Sequence, residues 1–157
     1  MKVIIAGSRD LKYFEIISGC MNELDIDHHI TEVVSGKAKG VDTHGEMYAQ
    51  ELGVPVKPFP AKWKDLKTQP VAIGINRSGE KYNKLAGFNR NQQMADYADA
   101  CIIIRHEKSN GSLDMLRRAQ EAGMPWCDII IADDGIDIVR GTTSDNWRWP
   151  TASAKRG

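Results

Sequence analysis

Short β-branched runs that stop at glycine-bearing loops and give way to helically spaced apolar residues recur through this sequence, and few architectures accept that order. Val3 to Ala6 stops at Gly7-Ser8-Arg9, after which Phe14, Ile17, Met21 and Leu24 return at helical spacing. Glu32 to Ser35 breaks at Gly36-Lys37-Ala38-Lys39-Gly40, and Val41 to Leu52 then reads as a helix closed by Gly53. Val54 to Phe59 is a third strand. From Ala86 a helical pattern runs through Gln93, Met94 and Tyr97 into Ala100 to Ile104, the strongest strand of the chain. Gly111-Ser112 opens a helix through Leu113, Leu116 and Ala119, and Cys127 to Ile131 is a fifth strand. Asp133-Asp134-Gly135 is a hairpin turn into Ile136-Asp137-Ile138, which makes the last strand an antiparallel edge.

Strands that alternate with helices and are themselves continuously apolar predict a doubly wound α/β fold with a mainly parallel sheet covered on both faces. The expected order is 3-2-1-4-5. Right-handed crossovers put every strand-to-helix loop on one edge, where ligands gather at the reversal of strand order. Residues 1–140 form the expected domain and 141–157 a tail carrying Trp147 and Trp149. Pro60 to Leu85 shows no sustained period and reads as a long excursion, the kind of segment that is functional or mobile. Large aromatics in the excursion and tail predict a homo-oligomer. In the competing reading Trp63 is a stacking lid over a ligand.

The 157 residues hold 21 Lys plus Arg against 21 Asp plus Glu, so any anion site is local rather than a property of the whole surface. No apolar run approaches the roughly 18 residues of a membrane span. The start of the chain lacks a secretory pattern, and Cys20, Cys101 and Cys127 have no metal-ligand or CxxC spacing. A cytoplasmic protein with structural cysteines and no metal is expected. The four histidines form no metal pattern, and His44 is read as an ordinary helical histidine.

Four loops carry the chemistry. Gly7, Ser8 and Arg9 bring backbone N–H groups, a hydroxyl and a guanidinium to the end of a buried strand, which suits a phosphate. Ser35, Gly36, Lys37, Lys39 and Gly40 supply close backbone approach and charge. Asp42 in the following helical turn either caps amides or accepts from a ribose hydroxyl. The spacing is neither a Walker A loop nor GxGxxG, and no GxSxG elbow occurs. Gly87 to Asn91 offers Arg90 and Asn91 as grips for phosphate and for amide or hydroxyl groups. Gly111 and Ser112 open a helix as an anion site, with Asp114 in its first turn either stabilising the helix dipole or acting as an acid.

In this order the elements resemble the YspA-like, cpYpsA-related branch of the SLOG superfamily: Gly7-Ser8-Arg9, Ser35 to Asp42, Ala61-Lys62-Trp63, Gly87 to Asn91 followed by Met94 with Asp96 or Asp99, and Gly111-Ser112. The resemblance spans Lys2 to Ile131. It implies a Rossmann-like fold and a nucleotide or nucleotide-derived, ADP-ribose-like ligand, bound as a sensor or processing domain. Lys37 departs from the glycine usual at that position, either narrowing the pocket or adding a phosphate contact, and Ser112 stands where threonine is common. Related Lonely Guy enzymes imply an alternative, N-glycoside hydrolysis of a nucleoside monophosphate, for which Asp42, Arg90 and Asp114 are the candidate catalytic residues; their PGG loop is absent here. The first two loops also resemble DNA-processing protein A, a single-stranded DNA binder. Zero net charge and few stacking aromatics, Trp63, Tyr82 and Phe88, place that alternative third. Three or four charge-assisted hydrogen bonds at about 1.5–3 kcal/mol each suffice for a micromolar nucleotide after the cost of association.

Overall fold

The computed structural model describes residues 1–11, 13–24 and 26–141. Of the expected tail, Gly141 closes strand β8 and the rest, with Trp147 and Trp149, lies outside them. Six strands form the main sheet: β1 (Lys2–Gly7), β2 (Glu32–Ser35), β3 (Val56–Pro58), β6 (Ala100–Arg105), β7 (Trp126–Ala132) and β8 (Gly135–Gly141). Their order is β3-β2-β1-β6-β7-β8, parallel except for β8, which pairs antiparallel with β7. Counting only these strands along the chain, the order is the expected 3-2-1-4-5 followed by the antiparallel edge. The chain has a Rossmann-like doubly wound α/β fold.

Side-chain alternation along the central strands divides the core in two. Val3 and Ile5 of β1 and Ile102 and Ile104 of β6 face one layer, with Ile17, Met21 and Leu24 of α1 (Phe14–Leu24) and Tyr48 and Ala49 of α2 (Val41–Leu52). Ile4, Ala6, Cys101 and Ile103 face the other, with Met94 and Ala95 of α3 (Ala86–Tyr97) and Met115, Leu116 and Ala119 of α4 (Asn110–Glu121). Each fully buried Ile or Leu contributes roughly 1.5–3 kcal/mol. Two covered faces leave the sheet's carboxyl edge as the place where loops meet.

The excursion is not structureless. β4 (Ile73–Ile75) and β5 (Lys81–Asn83) form a separate antiparallel hairpin. Its turn is set by Asn76, whose Oδ1 accepts the Ser78 and Glu80 amides at 3.0 and 2.9 Å. Its return is tied by buried Asn83, whose Oδ1 accepts the Ala72 and Leu85 amides at 3.1 and 3.0 Å.

A second anchor holds the β6–α4 loop. Arg105 and Asp128, both buried, form a bidentate pair at 2.9 and 2.8 Å, and Arg105 Nη1 donates to the Glu107 carbonyl at 3.0 Å. An acid inside the apolar run Trp126–Ala132 demands such a partner, because an unpaired buried charge is costly.

Candidate functional site

β1 lies between β2 and β6, and the chain reverses direction across the sheet there, which opens a crevice beyond the ends of β1 and β6. A cleft of about 500 Å³ occupies it, within the usual range of small-molecule sites. The candidate ligand and catalytic residues that line it are Gly7, Ser8 and Arg9; Asp42; Arg90 and Asn91; Gly111 and Ser112.

The first loop is fixed to its neighbours through backbone and hydroxyl. The Ser8 amide donates to the Ile104 carbonyl at 3.1 Å, and Ser8 Oγ accepts the His106 amide at 3.0 Å. That leaves the hydroxyl proton for a ligand. Arg9 is exposed and makes no hydrogen bond or ion pair among the described residues. At the opposite wall α4 begins, with Ser109 Oγ and Ser112 Oγ 2.7 Å apart and both residues lining the cleft. Free amides at a helix start favour an anion.

The second loop behaves differently. Ser35, Gly36, Lys37, Lys39 and Gly40 do not line the cleft. Ser35 Oγ donates to Glu46 Oε2 at 2.8 Å and accepts the Lys37 amide at 3.1 Å; Lys37 Nζ pairs with Glu46 Oε1 at 2.6 Å. Gly36 allows a close approach: a Cβ there would lie 2.6 Å from Arg90 Nη1 and 2.9 Å from Asp42 Oδ2. Gly40 caps α2 at φ 74° and ψ −123°, and a Cβ there would lie 2.6 Å from the Arg9 carbonyl oxygen. The two glycines therefore lock the second loop against the first loop and Arg90.

Asp42 is buried at the cleft wall and accepts the Ala38 amide at 3.3 Å. Burial raises its carboxyl above the ordinary range, against the opposing pull of the Arg90 charge and the Ala38 and Gly7 amides. Arg90 Nη1 donates to the Gly36 carbonyl and its Nε to Asn91 Oδ1 at 3.1 Å. Asn91 Nδ2 donates onward to Asp114 Oδ2 at 3.0 Å. Asp114 does not line the cleft; its oxygens also accept from Arg117 and Arg118 at 2.9 and 2.8 Å. Desolvation raises its carboxyl, but the hydrogen bonds from Arg118, Asn91 and Arg117 outweigh it and leave it below the usual range. Asp114 thus joins α3 to α4.

Several lining residues carried no sequence motif. Lys84 and Lys108 add two cations, so four cations face two carboxylates, Asp10 and Asp42, in a chain of zero net charge. Trp63 and Phe88 also line the cleft, 40% and 39% exposed, so aromatic surface remains open to a ligand. Lys108-Ser109 was marked by position alone, directly before a helix start on the ligand edge, whereas Trp63 and Phe88 were singled out in the sequence as stacking aromatics; Trp63 packs near Gly87, whose added Cβ would meet its ring at 3.4 Å. Among the described residues no three His, Cys, Asp or Glu side chains come together as a metal site, and no helix is long and apolar enough to cross a membrane.

Residues 1–65 match the model of YAcAr, the YspA, cpYpsA-related SLOG family. The Arg90-Asn91 and Gly111-Ser112 elements lie beyond the matched part. The structure is similar to the X-ray structure of DNA processing protein A (DprA) from Streptococcus pneumoniae, with a TM-score of 0.61 and 25% identity, covering 84% of this chain and 51% of that one. The chain therefore spans about half the length of that protein. No curated protein matches it.

Proposed function

From the match of residues 1–65 to the YspA, cpYpsA-related SLOG family, we propose that the cleft binds the phosphate end of a nucleotide or nucleotide-derived, ADP-ribose-like ligand. One observation carries the reading. Arg9, the Ser8 hydroxyl and the first turn of α4 present unused donors to one cleft whose wall also offers the rings of Trp63 and Phe88. Donors suit a phosphate and flat apolar faces suit a base.

Calorimetry with AMP tests this. The wild type should bind in the micromolar range, and Arg9→Ala should weaken binding by about 1.5–3 kcal/mol. Equal affinity in both proteins would remove Arg9 from the site, and no binding of AMP or of any other nucleotide would end the reading. Mass spectrometry of small molecules carried through purification would name the natural ligand.

A second reading is favoured by Asp42, a buried acid at the cleft wall beside Arg90, whose carboxyl holds its proton more strongly than usual. In that reading Asp42 and Arg90 support release of the base from a nucleoside monophosphate through an oxocarbenium-like state. Asp114, already engaged by three partners, has a structural part in it. Chromatography of monophosphates incubated with the protein separates binder from hydrolase: base release above a protein-free control supports the enzyme.

A further inference from the structure

Arg90 lines two cavities, the first cleft and a second of about 340 Å³. The lining of the second holds three cations, Lys62, Arg90 and Arg118, and five side-chain amides against one carboxylate, Asp65. The cations are incompletely used. Arg90 donates through Nη1 and Nε, and Arg118 through Nε to Asp114 and through Nη1 to Gln92 at 3.0 Å; neither Nη2 has a hydrogen-bond partner among the described residues. Lys62 Nζ has none either. Lys62 is exposed, and neither Nη2 is a sealed atom: among the described residues that are not exposed, the one sealed and unpartnered side-chain polar atom is Nδ1 of His44. Asp65 accepts the Lys67 and Thr68 amides through Oδ1, both at 3.0 Å, and its carboxylate also takes a side-chain hydrogen bond from Thr68.

A cleft with spare guanidinium and ammonium donors fits a phosphorylated sugar: cations for the phosphate, and the uncommitted amide groups of Gln69, Asn89 and Gln93 for hydroxyls. Arg90 is the residue that the linings of the two clefts share. We propose that the two clefts form one bipartite site for a ligand made of two nucleotide-like halves joined through phosphate, one half in each cleft and the linkage crossing Arg90. The inference rests on the nucleotide reading of the first cleft. It adds Lys62 and Arg118 as contacts for the second half, and it gives Arg90 a binding role besides its support of the Gly36 loop.

The test compares AMP with two probes of this class by calorimetry at fixed ionic strength: the 5′-phosphorylated dinucleotide pApA, whose halves are joined as in a nucleic-acid strand, and diadenosine diphosphate, joined through pyrophosphate. At least one should bind about tenfold or more tighter than AMP, as one additional charge-assisted contact requires. Lys62→Ala, a substitution at an exposed side chain, should bring the ratio of that probe's affinity to AMP's close to one. The probe that gains identifies the linkage the site accepts. If AMP binds and neither probe exceeds it, or if the ratio survives Lys62→Ala, the bipartite site is overturned and the nucleotide reading stands. If AMP and both probes fail to bind, the nucleotide reading falls and the bipartite site with it.

Discussion

The loops after β1 and β2 look alike in sequence, each a glycine and serine beside a cation at the end of a buried strand, yet they present opposite faces to the cleft. The first leaves Arg9 without a partner and its serine hydroxyl proton free. The second commits Ser35 and Lys37 to Glu46, uses Gly36 to admit Arg90, and uses Gly40 to seat against the Arg9 carbonyl. Of the second loop, Ala38 lines the cleft while the Lys37 ammonium is held by Glu46. Here the second loop is the mould in which the first loop and Arg90 are held.

The strongest way to break that contrast is Gly40→Ala. A residue at φ 74° and ψ −123° is strained unless it is glycine, and the added methyl would press on the Ser8 and Arg9 carbonyl oxygens. The combined cost should be about 3 kcal/mol in a urea unfolding experiment. A loss under about 1 kcal/mol would mean that the two loops are not interlocked.

Asp42 marks the boundary between the loops, and its ionisation sharpens the contrast. Burial places its folded-state pKa above the ordinary value of 3.8. The folded protein then binds the proton more tightly than the unfolded chain does, so the stability this group contributes is complete below the unfolded value and is lost as pH rises through the folded one. Relative to Asp42→Asn, in which this titration is absent, the wild type should lose stability as pH rises above the ordinary carboxylate value of 3.8. Unfolding curves of the two proteins across that rise give the difference. A difference independent of pH, or one that grows in favour of the wild type, would show that Arg90 and the amides outweigh burial and that Asp42 is an ordinary ionised cap.

Most of the fold was legible because period and punctuation agreed along it. Val41 and Gly53 bracket α2, and the apolar run at Ala100 leaves one position for the central strand. The hairpin of β4 and β5 was not legible. Its strands are three residues each, Ile73 and Ile75 are exposed, and its shape depends on amide hydrogen bonds to Asn76 and Asn83 that no periodicity encodes. In the site, the elements at Gly7, Arg90 and Gly111 were readable from their place before or within a helix start. The fate of Lys37 was not, because its partner Glu46 sits nine residues on, within α2, and becomes a neighbour only once the helix has formed. Lys84 and Lys108 were equally silent, since a loop lysine looks the same whether it faces solvent or a cleft.

Lys37 gives the smallest and most selective test. Its φ of 58° is a left-handed conformation that costs an L-residue roughly 1–2 kcal/mol, and it is the position where the resembled family has glycine. Against that cost stands an ion pair with Glu46, worth no more than about 1 kcal/mol at a half-exposed side chain. Lys37→Ala keeps the strain and loses the pair. Lys37→Gly loses the pair but removes the strain, offset in part by the about 0.4–1 kcal/mol of extra freedom that glycine gives the unfolded chain. The glycine variant should therefore be more stable than the alanine variant by about 0.5–1 kcal/mol and lie within about 1 kcal/mol of the wild type. Both should bind AMP as the wild type does, because Nζ is held by Glu46 away from the cleft lining. A tenfold loss of AMP affinity in either variant would place Lys37 on the ligand, and the second loop would then share the binding role of the first.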